Sequence, residues 1–182
     1  MFRKHPRAMA SFATKYVNHD LLEFNPEGKV RIRMSLMPQM LSTVLEPNTS
    51  SIYTRIQAIN WFKEAGYDVH INFSPVVVYK EWLRDYNDLF LMVRDMVDPA
   101  YHNSVFAEVI FLTHNENKHA DNLAMNRPGE ELLWMPDIQE NKISQYGGDN
   151  IRYKAHMKQV WIDQFRRLHD EIIPWNKIRY IF

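Results

Sequence analysis

Residues 29–37 read "KVRIRMSLM". Side chains change face at every step of a strand, so Val30, Ile32, Met34 and Leu36 point one way and Arg31, Arg33, Ser35 and Met37 the other. The segment is a strand with one apolar face and one largely polar face. The sequence around it alternates strands with helices, and strands of such α/β chains are usually covered on both sides. Two readings stay open for Arg31, Arg33 and Ser35. Either the strand is an edge whose outer face meets water, or the polar face lines a lumen that contacts an anionic or sugar-bearing ligand.

Downstream, "EPNTSS" (46–51) stops the chain at Pro47 and Asn48 and offers Thr49 or Ser50 as a helix N-cap. Ile52, Ile56, Ile59 and Phe62 recur at helical spacing, and Gly66 ends that helix as a left-handed residue after it. "YDVHINFSPVVVY" is the next strand, bent near Pro75. A second helix carries Trp82, Tyr86, Leu89 and Val93 on one face and closes at Asp98-Pro99. Residues 104–114, "SVFAEVIFLTH", read as a strand buried on both faces. Residues 114–126 fit a short helix, and 127–150, with their Pro and Gly residues, a loop or hairpin. A last helix over about 152–171 places Met157, Val160 or Trp161, Gln164 and Leu168 on one side, and "NKIRYIF" closes as a strand. Alternation of this kind predicts a mainly parallel sheet with right-handed crossovers and flanking helices. Ligands of such sheets sit beyond the carboxyl ends of the strands, where Ser35, Ser74 and Thr113-His114 fall.

The chain has 182 residues, equal numbers of acidic and basic side chains, and no cysteine. One domain spanning 1–182 is expected, with 1–28 as a lead-in. Without thiolates the chain supplies no disulfide, no cysteine nucleophile and no ligand for an iron–sulfur cluster. No apolar run is long enough to span a bilayer and the basic N-terminus lacks an apolar signal core, so no membrane association and a cytoplasmic location are expected. Residues 1–33 and 141–169 each carry a modest excess of Lys and Arg.

Glu108 interrupts an apolar strand. A buried carboxylate must be paired, hydrogen-bonded or neutral, so it is either the internal partner of an arginine or a ligand contact. The histidines form no metal-binding pattern. His114 and His119 are five apart, off a shared helical face, and no metal is expected. "SQYGGDNIRYK" (144–154) surrounds a Gly-Gly turn with Tyr146, Arg152, Tyr153 and Lys154. Rings that stack on bases and cations that meet phosphates are what a nucleic-acid contact needs, and 141–154 is the candidate hairpin.

The run "GKVRIRMSLMP", "LEPNTSSIYTRIQAINWFKEAGYDVHINFSPVVV" and "YKEWLRDY", followed by "AEVIFLTHNE", "QYGG" and "KIRYIF", resembles the C-terminal half of the spore photoproduct lyase family of radical S-adenosylmethionine proteins. The resemblance covers nearly the whole chain. It implies an α/β fold that is one half of an open radical-SAM β/α barrel. It also implies a lyase function in DNA repair. There a 4Fe-4S cluster, held by a C-x3-C-x2-C loop, cleaves S-adenosylmethionine reductively, and the resulting radical reverts a thymine photoproduct in DNA. The family's cofactor-contacting serine falls on Ser35, and Arg33 and Ser74 join it as expected cofactor contacts. The DNA-engaging hairpin falls on Tyr146 and Arg152, with Gln145 where an arginine would be expected. The cluster cysteines belong to the N-terminal half. On this reading the chain needs such a half, in cis or in trans, to bear the cluster, and Val30–Met37 is the strand that pairs with it. The alternative is a non-catalytic remnant acting as a nucleic-acid-binding or structural domain.

Overall fold

The computed structural model describes residues 4–143 and 147–182. Five parallel strands make the main sheet, in the order β1 (Ala10–Thr14), β2 (Val30–Leu36), β3 (Asp68–Val76), β4 (Ala107–Phe111) and β8 (Ile178–Ile181). Spatial order follows chain order, so with right-handed crossovers the connecting helices stack on one face. Those helices are α1 (Gln39–Leu45), α2 (Ile52–Glu64), α3 (Trp82–Met96) and α6 (Ala155–Ile172). Between β4 and α6 the chain makes an excursion. It contains β5 (Thr113–His114), α4 (Glu116–Ala124), α5 (Glu130–Leu133), β6 (Gln139–Ile143) and β7 (Asp149–Tyr153). β5, β7 and β6 form a small antiparallel sheet.

The apolar faces of the parallel strands and the predicted faces of α2 and α3 make one core. Ile32, Met34, Leu36, Ile71 and Phe73 meet Ile52, Ile56, Ile59, Phe62, Tyr86, Phe90 and Val93, all buried. Each such side chain contributes about 1.5–3 kcal/mol by leaving water. Phe73, Phe90 and Phe165 pack edge to face at centroid distances of 5.3–5.7 Å, tying β3, α3 and α6 together.

Four details depart from the expectations. The lead-in is structured: β1 pairs in parallel with β2, Ala10 opposite Val30 through Thr14 opposite Met34. β2 is therefore an inner strand, and β1 is the edge on that side among the described residues. A short helix, α1, separates β2 from the "EPNTSS" turn, and the cap of α2 is Ser51, whose hydroxyl accepts from the Thr54 amide at 3.1 Å. Thr49 and Ser50 are engaged elsewhere: the Thr49 hydroxyl donates to the Glu46 carbonyl, and Ser50 Oγ accepts from the Val17 amide. Finally, α6 begins at Ala155 and buries Phe165 and His169, leaving Val160 exposed.

Candidate functional site

On the face of the sheet away from this core, polar side chains recur every second residue. Asp68, His70, Asn72 and Ser74 continue on β3 the pattern of Arg31, Arg33 and Ser35 on β2. Register aligns Arg31 with Asp68, Arg33 with His70, and Ser35 with Asn72, Glu108 and, on β8, Tyr180. The polar face of "KVRIRMSLM" is thus not the outside of an edge strand. It belongs to a continuous polar layer on the helix-free face of the sheet.

Most of this layer is satisfied internally. Arg31 Nε donates to Asp68 at 2.6 Å. Glu108, almost wholly buried, accepts from Arg33 at 3.2 Å, Arg179 at 3.3 Å and the Tyr180 hydroxyl at 2.5 Å. Burial alone would push the Glu108 carboxyl up, but the hydrogen bonds from Tyr180 and Arg33 and the nearby charges hold it below the ordinary value. The Tyr180 hydroxyl is raised by burial and by that same bond. His70 lies between Asp68 (3.3 Å from Nε2) and Arg179 (3.3 Å from Nδ1). Burial lowers its pKa against the pull of Asp68. Nδ1 facing a guanidinium must accept, so the neutral ring carries its proton on Nε2 toward Asp68. Arg33 is a partner of Glu108, one row back from the strand ends. Glu108 takes the internal-partner role.

At the carboxyl ends the layer opens into a cavity of about 470 Å3 lined by Thr14, Lys15, Tyr16, Ser35, Thr49 and Asn72, with Ser74 and Pro75 at its far side. This size suits a small cofactor. Ser35 and Ser74 both line the cavity, and the Ser74–Pro75 peptide is cis. Asn72 was missed by sequence reasoning, although the alternation of β3 gives its face. Its Nδ2 donates to Ser35 Oγ at 3.4 Å, and its buried Oδ1 has no protein donor among the described residues. A buried acceptor without a partner is costly, and Asn72 is one of the residues that line the cavity.

Two of the lining residues, Ser35 and Thr49, are held by Arg55, fully buried on α2. Its guanidinium donates to the Ser35 carbonyl at 3.1 Å, Glu46 at 2.8 Å, Ser42 Oγ at 3.2 Å, Thr49 Oγ1 at 2.5 Å and the Ser50 carbonyl at 2.8 Å. Lys15 reaches the other oxygen of Glu46 at 2.7 Å. A planar fork of five donors is suited to a turn that supplies so many acceptors in one place. This explains the residue choice in "EPNTSS": Glu46, Thr49 and Ser50 hold the guanidinium, and Asn48 takes the positive φ of 63° that the turn requires. Arg55 also fixes the backbone of Ser35, so the turn and the serine are set as one unit.

The second candidate region is the β6–β7 hairpin, with Lys142 opposite Asn150 and Glu140 opposite Arg152. Tyr146 lies outside the described residues. Arg152 is half-buried at the hairpin base, sharing a groove with Lys158 from the first turns of α6. Lys158 titrates below its ordinary value because it is buried and because Arg152 and Lys142 are close. Three cations thus converge, two of them not foreseen from the sequence. Tyr153 does not join them. It is fully buried, packs at 5.0 Å against Trp161, and its hydroxyl accepts from the Val78 amide at 2.8 Å. Alternation along β7 places Tyr153 beside Ile151 on the inner face, and a ring there cannot stack on a base. Lys154 donates to the Asp137 carbonyl at 2.8 Å and helps anchor the hairpin.

A third grouping was also missed: His114, His119 and Glu130 bring their ligating atoms within 4.8 Å of one another. The helical-spacing argument did not apply, because His114 is on a strand.

The family profile of spore photoproduct lyase matches residues 1–182. The chain belongs to the spore photoproduct lyase family. It is 35% identical over 171 residues to the spore photoproduct lyase of Geobacillus sp. (strain Y412MC61), and 26% identical over 173 residues to that of Bacillus subtilis (strain 168). Each match covers 93% of this chain and 49–50% of the relative, so the chain spans about half the length of these lyases. A solved spore photoproduct lyase mutant with bound AdoMet and dinucleoside spore photoproduct superposes with a TM-score of 0.85 at 23% identity. The superposition covers 96% of this chain and 51% of that one. A second solved lyase, complexed with dinucleoside spore photoproduct, gives the same TM-score. The shared architecture is the half-barrel of parallel strands with helices on its outer face. No helix of the described residues is long and apolar enough to cross a membrane.

Proposed function

We propose that this chain is the C-terminal, ligand-facing half of a spore photoproduct lyase-type radical enzyme acting in DNA repair. The observation that carries the reading is the cavity at the strand ends, where Ser35, Asn72 and Ser74 converge on the polar side of a singly wound sheet. Its chemistry fits part of S-adenosylmethionine: hydroxyls and an amide for sugar and amino-acid groups, and Tyr16 as an exposed ring at the rim. When bound, S-adenosylmethionine supplies the radical precursor. The residues of this chain orient it and shield it on one side. The chain has no cysteine, so the thiolate ligands of a 4Fe-4S cluster must come from an N-terminal half, in cis or in trans. The cytoplasm, where DNA and S-adenosylmethionine occur, is the compartment this function implies.

Lys142, Arg152 and Lys158 are the proposed phosphate contacts, with Tyr146 as the ring beside the turn and Lys154 as a neighbouring cation. DNA binding should weaken with salt, and neutralising one phosphate contact should lower the salt slope by about 1. Arg152→Ala and Lys158→Ala are expected to do so in fluorescence anisotropy with a short thymine-rich duplex. Unchanged affinity and slope in both variants would remove the hairpin from the interface. DNA binding without any affinity for S-adenosylmethionine, in the presence of a cluster-bearing half, would instead favour a nucleic-acid-binding module without catalysis.

A further inference from the structure

In the excursion between β4 and β6 the apolar side chains that reach the main core, Leu132, Leu133, Met135 and Ile138, are only partly buried and all follow Glu130. From residue 113 to 138 the buried residues are His114, Gly129 and Glu130. α4 buries none of its residues, and α5 buries only Glu130. The α4 part of the segment therefore has no buried hydrocarbon of its own, and small elements without it are commonly held by a metal. Here the centre is a carboxylate and two imidazoles. His114 Nε2 and His119 Nδ1 approach the same oxygen, Glu130 Oε1, at 2.9 and 2.5 Å.

The surroundings have the features of a built site. Asn122 Nδ2 donates to the other oxygen, Oε2, at 2.6 Å, fixing the carboxylate and leaving Oε1 to the histidines. The His119 ring stacks on Trp134 at 4.0 Å with an interplanar angle of 8°, so its Nδ1 direction is set. Outer contacts of this kind orient metal ligands. Gly129, at φ 82°, precedes Glu130 and lies so close to α1 that a Cβ would stand 2.6 Å from Val44 and Leu45. That contact places the carboxylate without using its charge. A cavity of about 410 Å3 opens beside His119, Asn122, Glu130 and Trp134, giving access to a fourth coordination position.

We propose that His114, His119 and Glu130 bind a divalent transition-metal ion, zinc being the best fit, with the fourth position open to the cavity. Two neutral imidazoles and one carboxylate in tetrahedral reach are a recognised zinc ligand set. Tetrahedral bonds of about 2.0–2.2 Å set ligand atoms about 3.3–3.6 Å apart, so His114 Nε2 must draw back from Glu130 Oε1 by roughly half an ångström and His119 Nδ1 by about 1 Å, within reach of side-chain rotation. On binding, His114 Nε2 and His119 Nδ1 turn lone pairs to the ion, each neutral ring carries its single proton on its other nitrogen, and no net proton is released. The ion fastens α4 and α5 to β5 and, through the pairing of Thr113 with Arg152, to the base of the hairpin.

The test is titration of the chelator-treated full chain with Zn2+ against a competing dye, alongside Co2+ absorption. One equivalent should bind, Co2+ should give the intense visible bands of four-coordination, and zinc should raise the thermal midpoint. His119→Gln and Glu130→Gln should abolish binding, Asn122→Leu should weaken it about tenfold, and His156→Gln, exposed on α6, should leave it intact. His119 is partly exposed on a helix without buried residues, so its variant stays folded by circular dichroism even where Glu130→Gln does not. A folded chain that takes up no zinc, or a His119→Gln variant that binds it as well as the parent, overturns the assignment.

Discussion

At the residue scale, the pH response of the polar layer follows from His70 and Glu108. Both have folded-state pKa values below their ordinary 6.5 and 4.5. The unfolded chain therefore binds more protons than the folded one as pH drops through these values, and stability falls. It is fully present above about pH 6.5. A first decline comes as pH drops from there, when unfolding lets His70 charge, and a second below about 4.5, when unfolding lets Glu108 protonate. Glu108→Gln should cost about 1–3 kcal/mol at pH 7, moderated by the partial exposure of Arg33 and Arg179. It should also make the lower limb shallower. Urea melts from pH 8 to pH 3 measure both effects, and a variant whose curve runs parallel to the parent's would refute this account of Glu108. Some residue roles were legible in the sequence. The alternation around Arg33 and Ser35 and the single carboxylate in an apolar strand announced a polar layer. Arg55 was not legible, because an arginine amid the helical residues of α2 reads as solvent-facing until Glu46, Ser42 and Thr49 fold around it. Tyr153 could have been read correctly from its place beside Ile151.

At the element scale, the strands and helices with strong periodicity were where the sequence put them, and β1 was not. "ASFAT" is short, and three of its five residues are exposed, so it carries no apolar pattern to recognise. Its consequence is physical. The Ala10 amide donates to the Lys29 carbonyl, so along a parallel ladder Ser11 and Ala13 turn their amides outward. A row of this kind, unpaired among the described residues, is a template for another chain. The chain on its own should self-associate, and Ser11→Pro, which removes an outward donor without touching the β1–β2 ladder, should raise the monomer fraction in light scattering. A monodisperse parent chain would contradict the claim. The zinc-binding grouping escaped for a different reason. Its three members sit on β5, on α4 and at the first residue of α5, and no spacing rule for a single element joins them.

At the scale of the whole molecule, a singly wound sheet with helices on one face and polar side chains on the other is half of an enclosure. The same edge that invites self-association is where further strands would add, and the cavity at Ser35 and Asn72 lies beside it, floored in part by Thr14 of β1. The most direct measurement is anaerobic co-expression with a cluster-bearing N-terminal half, followed by reduction and assay of 5′-deoxyadenosine. The account predicts that S-adenosylmethionine is cleaved only when both parts are present, and that Asn72→Leu lowers the rate without dissolving the assembly. Cleavage by the other half alone at an unchanged rate, or an intact reduced cluster in the assembly that leaves S-adenosylmethionine whole, would contradict it.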